Sequence, residues 1–311
     1  MSDPLLLTCL GVAHDLPLLP HFVAHYRALG IAPDRFRVLL NSADPADPGL
    51  ARARSVLAGA GIGHAEEWIA PYTSDAMWAA RRDLQQRHAG PEDWVLSADI
   101  DEFHEYPAPL PEFLEFCAGM QVTAVQGVFI DRLAPGGRLA PVAAAPGILD
   151  QFPLQAEVAW SIAGRGRFHD RYGTVKLMAM RGDVLPSRGG HHPLPDRPAR
   201  HLYGRPLGGF PGLEDPAWRF RVPTRVHHLH WTDTLPERLR RRLATPGASA
   251  AGREYGQKQL DHFAAHGGVA LDRVALRPGG DARPWRAETA RLRRRARLLG
   301  WRDALAAGLG R

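Results

Sequence analysis

The chain has 311 residues, of which 45% are hydrophobic and 23% are charged, as in ordinary soluble globular proteins. No apolar stretch is long enough to cross a bilayer and no secretion signal opens the chain, so we expect a cytoplasmic protein. Cys9 and Cys117 lie far apart among apolar neighbours, which excludes a disulfide framework, and the net charge of +6 leaves anionic partners open.

Short apolar runs alternate with amphipathic stretches in the first third of the chain. The pattern predicts strands at 5–12, 36–40, 65–70 and 94–98 and helices at 18–29, 49–60 and 74–88. Strands that alternate with helices of this length favour a Rossmann-like α/β fold with a mostly parallel central sheet flanked by helices. No glycine-rich phosphate loop and no G-x-G-x-x-G follow the first strand, which disfavours a P-loop kinase or a dinucleotide oxidoreductase.

The rest of the chain is less periodic. We expect a helix at 110–117, a strand at 122–130, an irregular Pro/Gly-rich region at about 186–223, and a helical, arginine-rich tail from about 252 with a break at 278–280. A long irregular stretch within a compact domain is typical of a binding loop.

Two carboxylates come directly after the apolar run 94–98. Asp99 and Asp101 are two residues apart, so an extended backbone would point both side chains the same way. The carboxyl edge of a buried strand is where open α/β sheets bind ligands, and paired carboxylates suit a divalent cation that also takes phosphate oxygens. The alternative is that these residues only end the strand and cap the next element.

Other residues could supply the remaining chemistry. Asp131 leaves a strand into a glycine turn and is our first candidate for a catalytic base, with Glu102 second; an arginine-paired structural carboxylate is the alternative for Asp131. Lys176 and the arginine run 238–242 could hold diphosphate oxygens, or they could lie on solvated faces. Whether the reaction needs such a base is left open by the sequence.

Three segments resemble bacterial glycosyltransferases of the GT-A fold, in the family 2-like and family 92-like group. Residues 18–31 are similar to that group's opening L-hydrophobic-x-x-W/F-x-x-H-Y-x-x-L-G helix. Residues 93–103 resemble its D-W-hydrophobic-x-x-x-D-hydrophobic-D-E-F signature. Residues 226–231, followed by the run 238–242, resemble its late H-hydrophobic-x-W segment with a basic helix.

The resemblance implies a metal-dependent glycosyltransferase that uses Mn²⁺ or Mg²⁺. Such an enzyme moves a sugar from a UDP- or GDP-linked donor to a carbohydrate or lipid-linked acceptor. By position, Asp101 would bind the metal, and Asp99 would bind the ribose or the metal. His191 and His228 would be further metal ligands, although each histidine could equally be a solvated or satisfied side chain. His228 and His230 share one face if their segment is a strand, but no Cys or further His supports a zinc pair.

The resemblance also implies a place for the nucleotide. Asn41 and Ser42, at the end of the second strand, match a frequent nucleotide contact, with an ordinary Asx turn as the alternative. The group usually has a glutamate after its first strand, and Asp15 is our substitute here. We expect residues 1–131 to form the nucleotide-sugar-binding half, 132–250 the acceptor side of the same domain, and 251–311 a helical extension.

Two other classes of function remain open. The same acidic edge could serve a metal-dependent nucleotidyl- or phosphotransferase. The arginine runs 238–242 and 291–297 could make the chain a non-enzymatic binder of nucleic acid or anionic lipid. No aromatic residues interleave with the second run, so we expect no nucleic acid, while peripheral contact with an anionic inner-membrane face stays open.

Overall fold

The fold is taken from a computed structural model, which describes residues 3–163, 175–195, 199–202, 216–244, 250–277 and 284–308. The strands are β1 (Leu5–Gly11), β2 (Phe36–Ser42), β3 (Ala65–Ile69), β4 (Trp94–Ser97), β5 (Glu102–Glu105), β6 (Ala124–Leu133), β7 (Leu154–Glu157), β8 (Val175–Arg181), β9 (Arg225–His228) and β10 (Ala275–Leu276). The helices are α1 (Leu19–Ala28), α2 (Pro48–Gly59), α3 (Ser74–His88), α4 (Leu110–Gly119), α5 (Ile148–Gln151), α6 (Val158–Ala163), α7 (Pro216–Arg219), α8 (Leu235–Ala244), α9 (Ala250–His266) and α10 (Trp285–Gly308).

One mixed sheet, flanked by helices, organises the described chain, and it confirms the predicted α/β fold class. Its main path runs β10-β7-β6-β8-β4-β1-β2-β3. The four strands β3, β2, β1 and β4 are parallel, as the alternating pattern predicts. Beyond β4 the pairs β4–β8, β8–β6, β6–β7 and β7–β10 are antiparallel. The all-parallel part of the sheet is therefore formed by the first third of the chain, and the strands beyond β4 alternate in direction along the path.

Strands β5 and β9 lie off this path and bring distant parts of the chain to the end of β4. β5 pairs with β9 in antiparallel register, and β9 also pairs with β6 in parallel. Just beyond β9, the Leu229 N–H donates to the Asp101 carbonyl over 2.7 Å. The segment after β9 is thereby fixed against the turn after β4.

Helix α1 shows how the local pattern specifies packing. Leu19, Phe22, Val23 and Tyr26 recur at helical spacing and all four are buried. Phe22 packs against Tyr26 and against Phe103 of β5. The predicted helix is confirmed, and it anchors β5 beneath the end of β4.

The backbone after β4 differs from the predicted extended form. β4 ends at Ser97, and the chain then turns, with the Glu102 N–H donating to the Asp99 carbonyl over 2.9 Å. The extended backbone predicted for Asp99 and Asp101 is therefore wrong, although their carboxylates still come within 4.8 Å of each other. The turn is favoured because it starts β5 at once and lets Phe103 enter the core.

The tail is helical as predicted, with one addition. α9 and α10 form its helices, and β10 pairs with β7 at the edge of the sheet. The predicted break at 278–280 lies outside the described residues, as does part of the irregular region 186–223. None of the described helices combines the length and the apolar character that crossing a membrane requires.

Candidate functional site

The turn after β4 separates two groups of charged side chains. We call the group of Asp99, Glu102, Lys176 and Arg81 the lysine side. We call the group of Asp101, Asp131, His228 and His230 the histidine side.

On the lysine side two cationic side chains form ion pairs with the Asp99 carboxylate. Lys176 Nζ lies 2.7 Å from Asp99 Oδ2 and 2.6 Å from Glu102 Oε1, while Arg81 donates to Asp99 Oδ1. The Asp99 N–H in turn donates to Glu102 Oε2 over 3.0 Å. Both Asp99 oxygens are engaged by cations, but Asp99, Asp101 and Glu102 also place ligand atoms within 4.8 Å of one another, so the metal-binding role of Asp99 stays a prediction.

The two cations are held from different elements. Arg81 lies on the buried face of α3 and also donates to the Leu7 carbonyl and to Ser97 Oγ. Lys176 comes from β8, and Gly190 lies against its stem. A Cβ on Gly190 would come within 2.8 Å of Lys176 Cε and 2.4 Å of the Trp78 ring, so only glycine fits there.

Charge balance governs ionisation on the lysine side. Burial alone would raise the pKa of Asp99, but Lys176 and Arg81 outweigh it and the pKa is lowered. Burial and the Asp99 charge raise the pKa of Glu102 to about 7. Glu102 is 1% exposed and both its oxygens accept hydrogen bonds, which does not favour its predicted role as a base for an acceptor. The contacts of the lysine side are thus of the kind that hold the turn after β4 in place.

On the histidine side two imidazoles face the Asp101 carboxylate. His230 Nδ1 is 3.4 Å from Asp101 Oδ2, and His228 Nε2 is 3.8 Å from the same oxygen. The two rings are stacked, with centroids 5.0 Å apart and planes 11° apart. One carboxylate and two imidazoles thus each place a ligand atom within 4.8 Å of the others.

The Asp131 carboxylate orients the His228 ring through Nδ1, the ring nitrogen that does not face Asp101. His228 Nδ1 and Trp231 Nε1 donate to Asp131 Oδ1 over 3.0 and 2.8 Å, and the Val158 N–H donates to Oδ2 over 2.8 Å. A carboxylate that holds three donors and is 4% exposed is better suited to orient an imidazole than to take a proton from an acceptor. The predicted role of Asp131 as catalytic base thus has less geometric support than a positioning role.

The same contacts set the pKa values on this side. Burial alone would lower the pKa of His228, but the hydrogen bond to Asp131 and the charges of Asp101 and Asp131 outweigh it and raise the pKa. Burial lowers the pKa of His230 to about 4, so that ring is neutral at pH 7. Burial would raise the pKa of Asp101, but the His230 hydrogen bond and the charges of His228 and Arg238 hold it below its usual range. Asp101 is therefore ionised.

Helix α8 supplies a basic rim. Arg238 bridges two carboxylates, with Nη1 3.7 Å from Asp15 Oδ1 and Nη2 3.8 Å from Asp101 Oδ2. One turn later, Arg241 donates to His14 over 3.2 Å. Asp15 comes after β1, and burial raises its pKa to about 6. The structure thus brings the predicted residue Asp15 and the first arginine of the run to the histidine side.

The other predicted residues are held by local contacts. The Asn41 amide donates to the carbonyls of Trp68 and Ala70, which ties the ends of β2 and β3 together. The Ser42 hydroxyl donates to Asp47, the residue that caps α2. His191 Nδ1 donates to the Val175 carbonyl over 2.6 Å, and His191 belongs to neither of the two ligand clusters found among the described residues.

Two contributors were missed or underrated from sequence. His230 stands as an equal partner of His228, and the H-x-H spacing was the signal for it. Arg81 carried no motif, but a charged residue on the apolar face of α3, between Trp78 and Leu84, indicates a buried partner.

The donor set of the histidine side fits a divalent transition metal ion. Two ligand atoms on one such ion lie roughly 3.0–3.4 Å apart for bonds of about 2.1 Å, close to the 3.4 and 3.8 Å measured to Asp101 Oδ2. Mixed imidazole and carboxylate ligands suit Mn²⁺ or Zn²⁺ better than Mg²⁺, which prefers oxygen alone. The Asp131–His228 hydrogen bond is the usual outer support of a metal-bound histidine.

Comparisons with known proteins identify no family. No family model and no curated protein matches the sequence. Among solved structures, the chain is similar to the crystal structure of S. aureus TarS 1-349, with 11% identity and a TM-score of 0.34 over 85% of this chain and 72% of that chain. It is also similar to a longer S. aureus TarS structure, with 10% identity and a TM-score of 0.30 over 84% of this chain and 44% of that chain.

Proposed function

We propose that the chain is a metal-dependent glycosyltransferase that takes its sugar from a nucleotide-linked donor. The observation that carries this proposal is the convergence of Asp101, His228 and His230 with Arg238 at the carboxyl end of β4. This is the sheet edge where α/β folds bind nucleotides, and two of the three sequence segments that resemble GT-A glycosyltransferases, 93–103 and 226–231, meet there.

The roles follow from the contacts. Asp101, His228 and His230 would hold the ion, with Mn²⁺ preferred over Mg²⁺ because two of the donors are imidazoles. When bound, the ion supplies positive charge that offsets the charge building on a leaving diphosphate. Asp131 keeps His228 Nε2 directed at Asp101. Arg238 and Arg241 of α8 present planar donors to phosphate oxygens.

The lysine side contributes to this reaction indirectly. Lys176 and Arg81 neutralise Asp99 and so fix the turn that carries Asp101. A hydroxyl of the ribose could still reach Asp99, whose side chain is 30% exposed. We therefore place Asp99 at the nucleotide and Asp101 at the metal.

The first experiment screens for the donor. Full-length protein is melted with UDP-, GDP- and CMP-sugars, with and without Mn²⁺, because a ligand that binds only the folded state raises the Tm. Turnover with the stabilising donor is then monitored by the product released. Release of a nucleoside diphosphate from a UDP- or GDP-sugar, or of CMP from a CMP-sugar, supports the proposal. Pyrophosphate released from a nucleoside triphosphate that is supplied with a sugar 1-phosphate would instead assign the site to a nucleotidyltransferase.

The second experiment tests the site. Asp101→Asn should lower turnover by about a hundredfold or more, since it removes the charged ligand. The matched control is Asp233→Asn, which changes an exposed carboxylate two residues beyond Trp231 and should keep normal turnover. Equal turnover in the two variants would remove the proposed role of Asp101.

A further inference from the structure

Helix α10 carries a basic stripe that the proposed site does not use. Among its described side chains, the exposed residues are Arg286, Ala287, Ala290, Arg293, Arg294, Arg297 and Leu298. At 100° per residue they fall on one arc of the helix, opposite the buried Leu292 and Glu288. Arg286 and Arg297 are eleven residues apart, which spans about 16 Å along the helix axis. The arginines therefore form a continuous exposed row.

This row is not neutralised by its neighbours. Arg286, Arg293, Arg294 and Arg297 make no ion pair with any described residue. Elsewhere on the surface exposed arginines commonly have acidic partners, as Arg54, Arg87, Arg188 and Arg241 do. On α10 itself the only carboxylate between 285 and 298 is Glu288, which is buried and paired with Arg291. The stripe thus keeps its positive charge.

The shape and chemistry of the stripe fit a flat anionic surface. Ala287 and Ala290 leave the arginines unobstructed, and Leu298 at its end is 59% exposed, the most exposed large apolar side chain of the described residues. No aromatic side chain lies on the arc between 286 and 298 to stack on bases. On one flank only, Glu112 and Glu115 of α4 line a groove shared with Arg286 and Arg293, so the opposite flank, with Arg294 and Leu298, is the more basic.

We propose that this stripe docks the protein on the surface of a membrane rich in anionic phospholipid. The arginine guanidinium groups lie among the lipid phosphates, and Leu298 enters the boundary between the headgroups and the acyl chains. Docking of this kind is reversible, weakens with salt and needs no membrane-spanning segment. It is independent of the metal site, since none of its residues belongs to either side of that site.

Co-sedimentation of the full chain with vesicles tests the proposal. Binding is compared on vesicles of pure phosphatidylcholine and on vesicles with 30% phosphatidylglycerol, at low and at physiological salt. The variant Arg294→Gln/Arg297→Gln removes two unpaired charges and should weaken binding to the anionic vesicles by about thirtyfold, the equivalent of about 1 kcal/mol per arginine. Leu298→Ser should weaken it by a smaller factor at both salt concentrations.

The matched control is Arg27→Gln/Arg52→Gln, which removes two exposed arginines from α1 and α2 without ion pairs among the described residues. The control should bind like the unmodified protein, and thermal melts confirm that both double variants fold. Equal weakening in both double variants, or no preference for anionic vesicles, overturns the proposal. Retention on double-stranded DNA that the α10 variant loses, without vesicle binding, would assign the stripe to nucleic acid instead.

Discussion

The lysine side and the histidine side are built on the same turn but have opposite chemistry. Asp99 is held by two cationic side chains, Arg81 and Lys176. Asp101 faces two imidazoles, which can give up their protons and bind an ion instead. Two aspartates separated by one residue thus have different partners. Under the proposed function, these partners give Asp99 a supporting role and Asp101 the role of a metal ligand.

The largest effect on stability should come from removing the charge of Lys176 on the lysine side. Lys176→Met leaves Asp99 and Glu102 without their shared partner, and we expect the free energy of unfolding to fall by about 3–5 kcal/mol. Urea unfolding measures this change in the free energy of unfolding. Lys258→Met, which changes an exposed lysine paired with Glu254, should cost less than about 1 kcal/mol.

A second variant shows whether charge is the cause. Glu102→Gln in the Lys176→Met background removes one uncompensated carboxylate and should recover part of the loss. If Lys176→Met costs no more than Lys258→Met, the lysine side is not a structural support of the turn.

The next effect compares Asp131 with Asp99 as regulators of metal affinity. Asp131→Asn should weaken Mn²⁺ binding by about ten- to a hundredfold, because His228 loses the carboxylate that orients it. Asp99→Asn should change Mn²⁺ affinity less, although Asp99 lies on the same turn as the proposed ligand Asp101. Calorimetric titration of the full chain with Mn²⁺ measures the affinity of each variant. A larger loss of affinity in Asp99→Asn than in Asp131→Asn would instead support Asp99 as a metal ligand.

A smaller effect is expected from pH, through the packing of α1 on β5, the strand that links the two sides. His25 donates to the His104 carbonyl, and burial lowers the pKa of His25 to about 4. The unfolded chain binds a proton on His25 near pH 6.5 and the folded chain does not, so stability is lost as pH falls from 6.5 towards 4.

The size of the loss follows from the shift. His25 should contribute roughly 2 kcal/mol to the loss of stability between pH 7 and pH 5. Urea unfolding at the two pH values measures it, with His25→Gln as the comparison. A variant that loses as much stability on acidification as the unmodified chain would contradict this role for His25.

The smallest effect concerns the predicted nucleotide contact at the end of β2. Ser42 donates to Asp47 and accepts from the Asp44 N–H, so Ser42→Ala should cost about 1 kcal/mol of stability with donor affinity unchanged. Thermal melts with and without the donor separate the two quantities. A weakened donor affinity at constant stability would instead make Ser42 a nucleotide ligand.

The parallel half of the fold could be predicted because its signals are local. α1, α2 and the strands β1 to β4 depend on spacing and capping within about fifteen residues, and their bounds agree with the predictions to within two residues at most ends. The strands β5, β7, β8 and β9 carry no comparable local signal, since each depends on partners far along the chain.

The sequence indicated where the site lies, but not which partners hold each of its aspartates and histidines. Asp101 and His228 lie close together because Asp101 directly precedes β5 and His228 ends β9, the partner strand of β5. The partner that occupies Asp99, Lys176, is 77 residues away, and the partner that orients His228, Asp131, is 97 residues away. The chain has only two lysines, Lys176 and Lys258, and this scarcity was a usable hint that a lysine at 176 has a specific task.

The main-chain bond between Leu229 and Asp101 has a consequence for ion exchange. It joins the backbone that carries one carboxylate to the backbone that carries both imidazoles, over 2.7 Å. In the proposed metal site the three donor groups are therefore already held close together, and binding of an ion would cost little chain entropy. Under the proposed function, an ion would enter and leave between turnovers while the three groups keep their positions.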